Sequence, residues 1–103
     1  MGIEYISCLP SPAIEALPAL IRQLIQTASL VEAQVVSGSG VGLRWAGQPV
    51  RSDWPEDVTI SWDSQEVLLC FHAATRTQRD KLIEYLCSSL SKVAQEKIKF
   101  EEI

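Results

Sequence analysis

Apolar residues recur along the chain with two distinct periods, which predict six strands and two main helices. Alternation with a period of two is typical of a half-buried strand, whereas spacing of three and four residues is typical of a helix with one buried face. The predicted strands are Ile3–Leu9, Val31–Val35, Val41–Trp45, Val58–Trp62, Glu66–Ala73 and Lys97–Glu102.

The first helical segment contains a proline that complicates its prediction. Ser11 and Pro12 match an N-cap followed by proline at the first helical position. Pro18 would remove a helical hydrogen bond and clash with the preceding turn. We therefore predict a short turn over Pro12–Ala16 and a main helix from Pro18 to about Ser29. Its apolar face would consist of Leu20, Ile21, Leu24, Ile25 and Ala28.

The segment after this helix allows two predictions. From Val31 the apolar period changes to two, which favours a strand, whereas the alternative extends the helix to Val36. Gly38-Ser39-Gly40 indicates a tight turn, so the next strand would fold back as a hairpin partner.

The second helix is predicted over Thr75–Val93. Thr75 and Gln78 have the spacing of a capping box, in which each side chain bonds to a backbone N–H that the helix leaves unpaired. The strand Glu66–Ala73 before it is apolar on both faces, which predicts a central position in the sheet.

These elements follow the order β-α-β-β-β-β-α-β and predict an α+β fold. Two amphipathic helices can cover one face of a sheet, so we expect a two-layer sandwich with an antiparallel or mixed sheet and both helices on one face. The order is similar to the ferredoxin-like βαββαβ plan with an added hairpin. This resemblance is topological and implies no function.

Length and composition indicate one globular domain spanning residues 1–103. Hydrophobic residues make up 47% and charged residues 21%, which argues against disorder. The formal net charge of −4 disfavours a partner such as duplex nucleic acid, whose binding proteins are usually basic.

Cysteine usage and the N-terminal residues point to a cytoplasmic protein. The three cysteines have no spacing typical of a disulfide framework or a zinc site, so we expect reduced, mostly buried thiols. Residues 1–9 lack the features of a signal peptide, and no apolar run is long enough to cross a membrane, so no membrane partner is expected.

Two further features resemble cofactor or metal sites only superficially. Gly38–Gly42 is rich in glycine but lacks the lysine and the following helix of a phosphate loop, so a hairpin turn is preferred. Five acids lie between Asp53 and Glu66 without calcium-loop spacing, and we expect them to be solvated. We assign no cofactor and no metal ligand.

The start of the second helix is the candidate anion-binding site, formed by His72, Thr75, Arg76 and Arg79. Cations at a helix N-terminus oppose the helix dipole, and a bound phosphate or carboxylate would offset them. The alternative is internal pairing of the arginines with Asp57, Asp63 or Glu66.

Aromatic and nucleophilic residues complete the candidates. Trp45 and Trp62 fall on apolar positions and are expected in the core, whereas Trp54, in a polar loop, is a candidate partner contact or a lid over the sheet edge. Cys70 and His72 would share a strand face at about 7 Å, too far for a hydrogen bond. We assign no catalytic residue.

We hypothesise a non-enzymatic interaction or regulatory module whose sheet face or edge meets another copy or a different protein. A second hypothesis is a small enzyme or binding protein for an anionic metabolite, using Arg76, Arg79 and His72. The third is single-stranded nucleic-acid binding through Trp54 and the exposed sheet face, which the negative net charge disfavours.

Overall fold

A computed structural model describes residues 2–27, 30–37, 39–46 and 56–103. Within these ranges the elements are β1 (Ile3–Cys8), α1 (Ser11–Thr27), β2 (Leu30–Ser37), β3 (Gly40–Trp45), β4 (Val58–Trp62), β5 (Glu66–Phe71), α2 (Arg76–Ala94) and β6 (Glu101–Glu102). This is the element order that the sequence predicts. No helix in the described ranges is long and apolar enough to cross a membrane.

The six strands form one antiparallel sheet in the order β2-β3-β4-β5-β1-β6. Strand β5 lies between β4 and β1, which confirms its predicted central position. Its residue Leu69 is opposite Tyr5 on β1 and Ile60 on β4, so three strands present side chains side by side on one face.

Both helices pack against this face, and the result is the predicted two-layer α+β arrangement. Helices α1 and α2 also contact each other. The buried core joins both helices to the sheet and includes Leu17, Ile21, Leu24, Leu43, Val58, Ile60, Val67, Leu69, Phe71, Leu82, Leu86 and Leu90. Trp45 and Trp62 are partly buried and pack against this core, as predicted.

The prediction that α1 starts only near Pro18 is wrong, because one helix runs from Ser11 to Thr27 through the proline. Ala13, Leu17, Ile21 and Leu24 are buried along one stripe of this helix, so the core spans the predicted break. Pro18 itself is exposed. Burial along the whole stripe outweighs one missing hydrogen bond, a local cost of about 3 kcal/mol.

The last strand is much shorter than the predicted Lys97–Glu102, since only Glu101 and Glu102 pair with β1. The preceding residues are held by side chains instead. The backbone N–H of Ile98 donates to Ser91 Oγ at 2.9 Å, and Ser7 Oγ donates to the Lys99 carbonyl at 2.6 Å. Side-chain hydrogen bonds therefore replace part of the predicted ladder.

The prediction of mostly buried thiols is wrong, because Cys8 is exposed and Cys70 and Cys87 are half-buried. Two other local predictions agree with the structure. The segment after α1 is a strand paired with β3, not a continuation of the helix. Helix α2 begins with the predicted capping box and ends before Gln95, which adopts a left-handed φ of 57°. Left-handed residues of this kind terminate many helices.

Candidate functional site

The capping box uses the polar groups of Thr75 that the anion-site hypothesis invokes. Thr75 Oγ1 accepts a hydrogen bond from the Gln78 backbone N–H at 3.1 Å. The Thr75 backbone N–H donates to Gln78 Oε1 at 2.9 Å. Both groups are therefore engaged within the helix end and stabilise it.

The two arginines of the first turn point to different partners. Arg76 Nε lies 3.9 Å from Asp80 Oδ2, and both side chains are exposed, so this ion pair contributes little. Arg79 Nη1 donates to the Ala74 carbonyl at 3.4 Å. The Nε atom of Arg79 is buried, and no hydrogen-bond partner for it lies in the described part of the chain.

In the described part of the chain, neither arginine forms an ion pair with Asp57, Asp63 or Glu66, and two of these acids accept hydrogen bonds from backbone N–H groups instead. The buried Asp57 accepts a hydrogen bond at Oδ2 from the Trp45 backbone N–H. Asp63 Oδ1 accepts from the backbone N–H groups of Gln65 and Glu66, each at 2.8 Å. These bonds lower the pKa of Asp63 below its ordinary value.

His72 follows the last residue of β5 and does not belong to the buried core that faces the helices. Its Nε2 is 3.1 Å from Thr59 Oγ1 on the neighbouring strand β4, and its backbone N–H donates to the Asp57 carbonyl at 2.8 Å. The ring is thereby held next to the sheet. The cavity at the start of α2 is lined by Thr75 but by none of His72, Arg76 and Arg79.

The expected 7 Å separation of Cys70 and His72 is wrong, since Cys70 Sγ lies 4.0 Å from His72 Nδ1. The strand ends at Phe71, and His72 occupies a bend, so the strand spacing no longer applies. Burial, reinforced by the negative charge of Glu4, raises the pKa of the Cys70 thiol. Because the thiolate is the nucleophilic form of cysteine, a raised pKa disfavours the activation of Cys70.

The structure describes most of the acidic residues between Asp53 and Glu66 but does not describe Trp54. Within the described ranges, no group of three or more His, Cys, Asp or Glu residues has an arrangement that could hold a metal ion. Glu56, Asp57, Asp63 and Glu66 lie in those ranges. Asp53 and the candidate contact Trp54 lie outside the described residues.

A cavity of about 480 Å³ lies where the end of α1, the start of α2 and the end of β3 meet. Thr75 is the anion-site candidate that lines it, together with Trp45, Gln78, Lys81 and Tyr85. No motif in the sequence joins Trp45 to these α2 side chains. The signal that could have done so was their spacing on α2, where Gln78, Lys81 and Tyr85 share one helix face.

The two edges of the sheet differ in length and charge. Strand β2 is the outermost strand on one side and has eight residues, of which Glu32 is the one charged residue. Its pairing with β3 shifts register between Glu32 and Gln34 and again between Val35 and Ser37. The opposite edge, β6, consists of two exposed glutamates. A long edge with few charges is open to pairing with another chain.

No protein-family model matches the chain, and neither a curated protein nor a solved structure matches it. The function is therefore inferred from the chemistry and geometry of the sites themselves.

Proposed function

We propose that this protein is a non-enzymatic interaction module that associates with a second copy of itself through β2. The observation that carries the proposal is the asymmetry of the sheet edges. β2 offers eight residues of strand backbone at one edge, whereas β6 offers two glutamates at the other.

An edge strand presents one row of backbone N–H and C=O groups without a partner in its own sheet. Addition of another strand satisfies these groups and is a common mode of protein recognition. Two copies of β2 related by a two-fold axis would pair antiparallel, because the same surface then meets itself. The predicted product is a continuous sheet through both protomers.

The charge distribution also favours self-association through β2. The chain has a net charge of −4, so two copies repel each other on average. β6 would add Glu101 and Glu102 to that repulsion, whereas β2 brings Glu32 alone. The less acidic edge is therefore the favoured one.

The chemistry of the described residues supports a role without catalysis. Burial raises the pKa of the Cys70 thiol, which disfavours the nucleophilic thiolate, and the carboxylates of Asp57 and Asp63 are engaged by backbone N–H groups. These groups stabilise the fold rather than forming a nucleophile with a base. Three cysteines without disulfide spacing remain consistent with a cytoplasmic location, which stays part of the proposal.

The strand order supports the ferredoxin-like plan as part of the same proposal. When the β2–β3 hairpin is set aside, the elements run β1-α1-β4-β5-α2-β6. β1 lies between β5 and β6, and β5 lies between β1 and β4. Each β-α-β unit is thus split by a strand from the other unit, as the split βαβ plan requires.

Binding of an anionic metabolite at the start of α2 is the alternative function. The buried Nε of Arg79 favours it, because that atom lacks a hydrogen-bond partner among the described residues. Phosphate and sulfate should then raise the melting temperature, and a double substitution of Arg76→Gln with Arg79→Gln should abolish the effect. No change in the wild type would eliminate this alternative.

Light scattering of size-exclusion peaks tests the main proposal. The wild type should shift from monomer to dimer between low micromolar and millimolar concentration. A double variant, Ala33→Lys with Val36→Lys, should remain monomeric because lysine on an edge blocks strand addition. Both residues fall at the register shifts of β2 and have no direct partner on β3, so the sheet itself is disturbed least.

Glu101→Lys is the matched control. It changes the formal charge by the same amount as the double variant, but at the opposite edge of the sheet. The control should dimerise at least as strongly as the wild type. A strictly monomeric wild type, or equal dimerisation of all three proteins, would overturn the proposal.

A further inference from the structure

The cavity between the two helices has the size and construction of a small-molecule site. Its volume of about 480 Å³ falls within the usual range of ligand pockets. Its described lining comes from the ends of α1 and β3 and the start of α2, and Trp45 at its border pairs with Leu30 on β2. The cavity therefore adjoins the strand proposed for self-association without including its residues.

The floor and walls of the cavity are apolar. Leu24 and Leu82 form part of its lining and are 1% and 2% exposed. Trp45 and Tyr85 are partly buried side chains that pack against the core and border the same space. Tyr85 is held from outside, because its hydroxyl donates to Gln23 Oε1 at 3.5 Å. Aromatic rings at the border of an apolar space suit a flat apolar ligand.

At the rim of the cavity, Gln78 and Lys81 can donate hydrogen bonds to a ligand, whereas the hydroxyl groups of Thr27 and Thr75 already make hydrogen bonds. The hydroxyl of Thr27 donates to the Gln23 carbonyl, and that of Thr75 belongs to the capping box. Gln78 uses its amide oxygen in the same box, so its amide nitrogen remains as a donor. Lys81 makes no ion pair within the described part of the chain.

The electrostatic character of the cavity is opposite to that of the whole protein. The chain has a net charge of −4, yet the described residues that line the cavity include Lys81 and no carboxylate. The first turn of α2 contains no acidic residue, so the positive end of its dipole is not neutralised there. An anion is therefore favoured over a neutral or cationic ligand.

We propose that this cavity binds a small organic anion with a flat apolar body, of the aromatic carboxylate class. The ring system lies between Trp45 and Tyr85 above Leu24 and Leu82. The carboxylate accepts hydrogen bonds from the Lys81 ammonium and the Gln78 amide. Charge-assisted hydrogen bonds are stronger than those between neutral groups, so the carboxylate determines selectivity.

Titration with 2-naphthoate and its neutral analogue 2-naphthamide tests this proposal. Calorimetry should give about tenfold tighter binding of the carboxylate, which corresponds to one charge-assisted contact. Amide chemical-shift changes should concentrate on residues that line the cavity. Trp45→Leu should weaken binding of both compounds, because it removes a wall that both contact.

Lys81→Gln should remove the preference for the carboxylate, leaving the two compounds with similar affinities. Lys92→Gln, which neutralises an exposed lysine in the last turn of α2, is the matched control and should keep the preference. Equal affinity of the wild type for both compounds, shifts remote from the cavity, or no binding up to millimolar ligand would each overturn the proposal.

Discussion

The buried carboxylate of Asp57 accepts a hydrogen bond from the backbone N–H of Trp45, with Oδ2 3.0 Å from the nitrogen. The backbone of Asp57 adds two more links, since its N–H donates to the Leu43 carbonyl and its carbonyl accepts from the His72 N–H. One residue thus connects the ends of β3, β4 and β5. It also fixes the backbone of a residue that lines the cavity.

Asp57→Ala should lower the free energy of unfolding by about 1–3 kcal/mol, because the Trp45 N–H loses its acceptor in a partly buried position. Asp57→Asn should cost less, since its amide oxygen can still accept the bond. Urea denaturation of the two variants and the wild type measures the difference. Equal stability of Asp57→Ala and the wild type would contradict this role.

The capping box predicts a difference between two nearby threonine positions at the start of α2. Thr75→Ala should destabilise the protein by about 1 kcal/mol, because the Gln78 N–H loses its acceptor. Thr77→Ala is the control, since this exposed threonine makes no capping bond in the described structure. Thermal denaturation should rank Thr75→Ala below Thr77→Ala, and the reverse order would refute the assignment.

Replacement of Pro18, which lies inside α1, should stabilise the protein. Pro18→Ala restores a backbone N–H that can bond to the Ile14 carbonyl, and it should raise stability by about 1–3 kcal/mol. Pro12→Ala is the matched control. Position 12 lies in the first turn, where the N–H has no helical acceptor, so this change should be nearly neutral. Chemical denaturation of both variants distinguishes the two positions.

Asp63, in the turn before β5, should make the stability of the fold depend on pH in the acidic range. Hydrogen bonds from the Gln65 and Glu66 backbones lower the pKa of Asp63 below its ordinary value of 3.8. The unfolded chain therefore takes up the proton first as the pH falls. The stabilisation is complete above the ordinary pKa and disappears as the pH falls through the lowered value.

Melting temperatures of the wild type and Asp63→Ala check this dependence. The wild type should be the more stable at neutral pH, and its advantage should shrink under acid conditions. An advantage that grows on acidification would show that the carboxylate does not act through these hydrogen bonds.

The sequence predicts the elements where local patterning and burial agree. The alternation of Val67, Leu69 and Phe71 identifies a strand, and these three residues are all buried. The Thr75–Gln78 pair identifies a helix start, because capping depends on residues three positions apart. Prediction fails at Pro18, where packing of α1 on the core overrides a local penalty.

The candidate sites depend on contacts between distant segments and were therefore less predictable. The approach of Cys70 to His72 follows from the end of β5 at Phe71, which no residue pattern marks. The cavity joins Trp45 on β3 to Tyr85 on α2, and the edge position of β2 follows from the order of strands in the sheet. Sequence periodicity shows which face is buried but not which elements become neighbours.

Hydrogen exchange of the β2 amides at two protein concentrations tests self-association through this edge most directly. Amides of Leu30–Ser37 that do not bond to β3 should exchange rapidly in dilute solution and become protected as the protein is concentrated. The amides of β4, which is paired on both sides, serve as the internal reference. Equal exchange of the β2 amides at both concentrations would contradict the proposed interface.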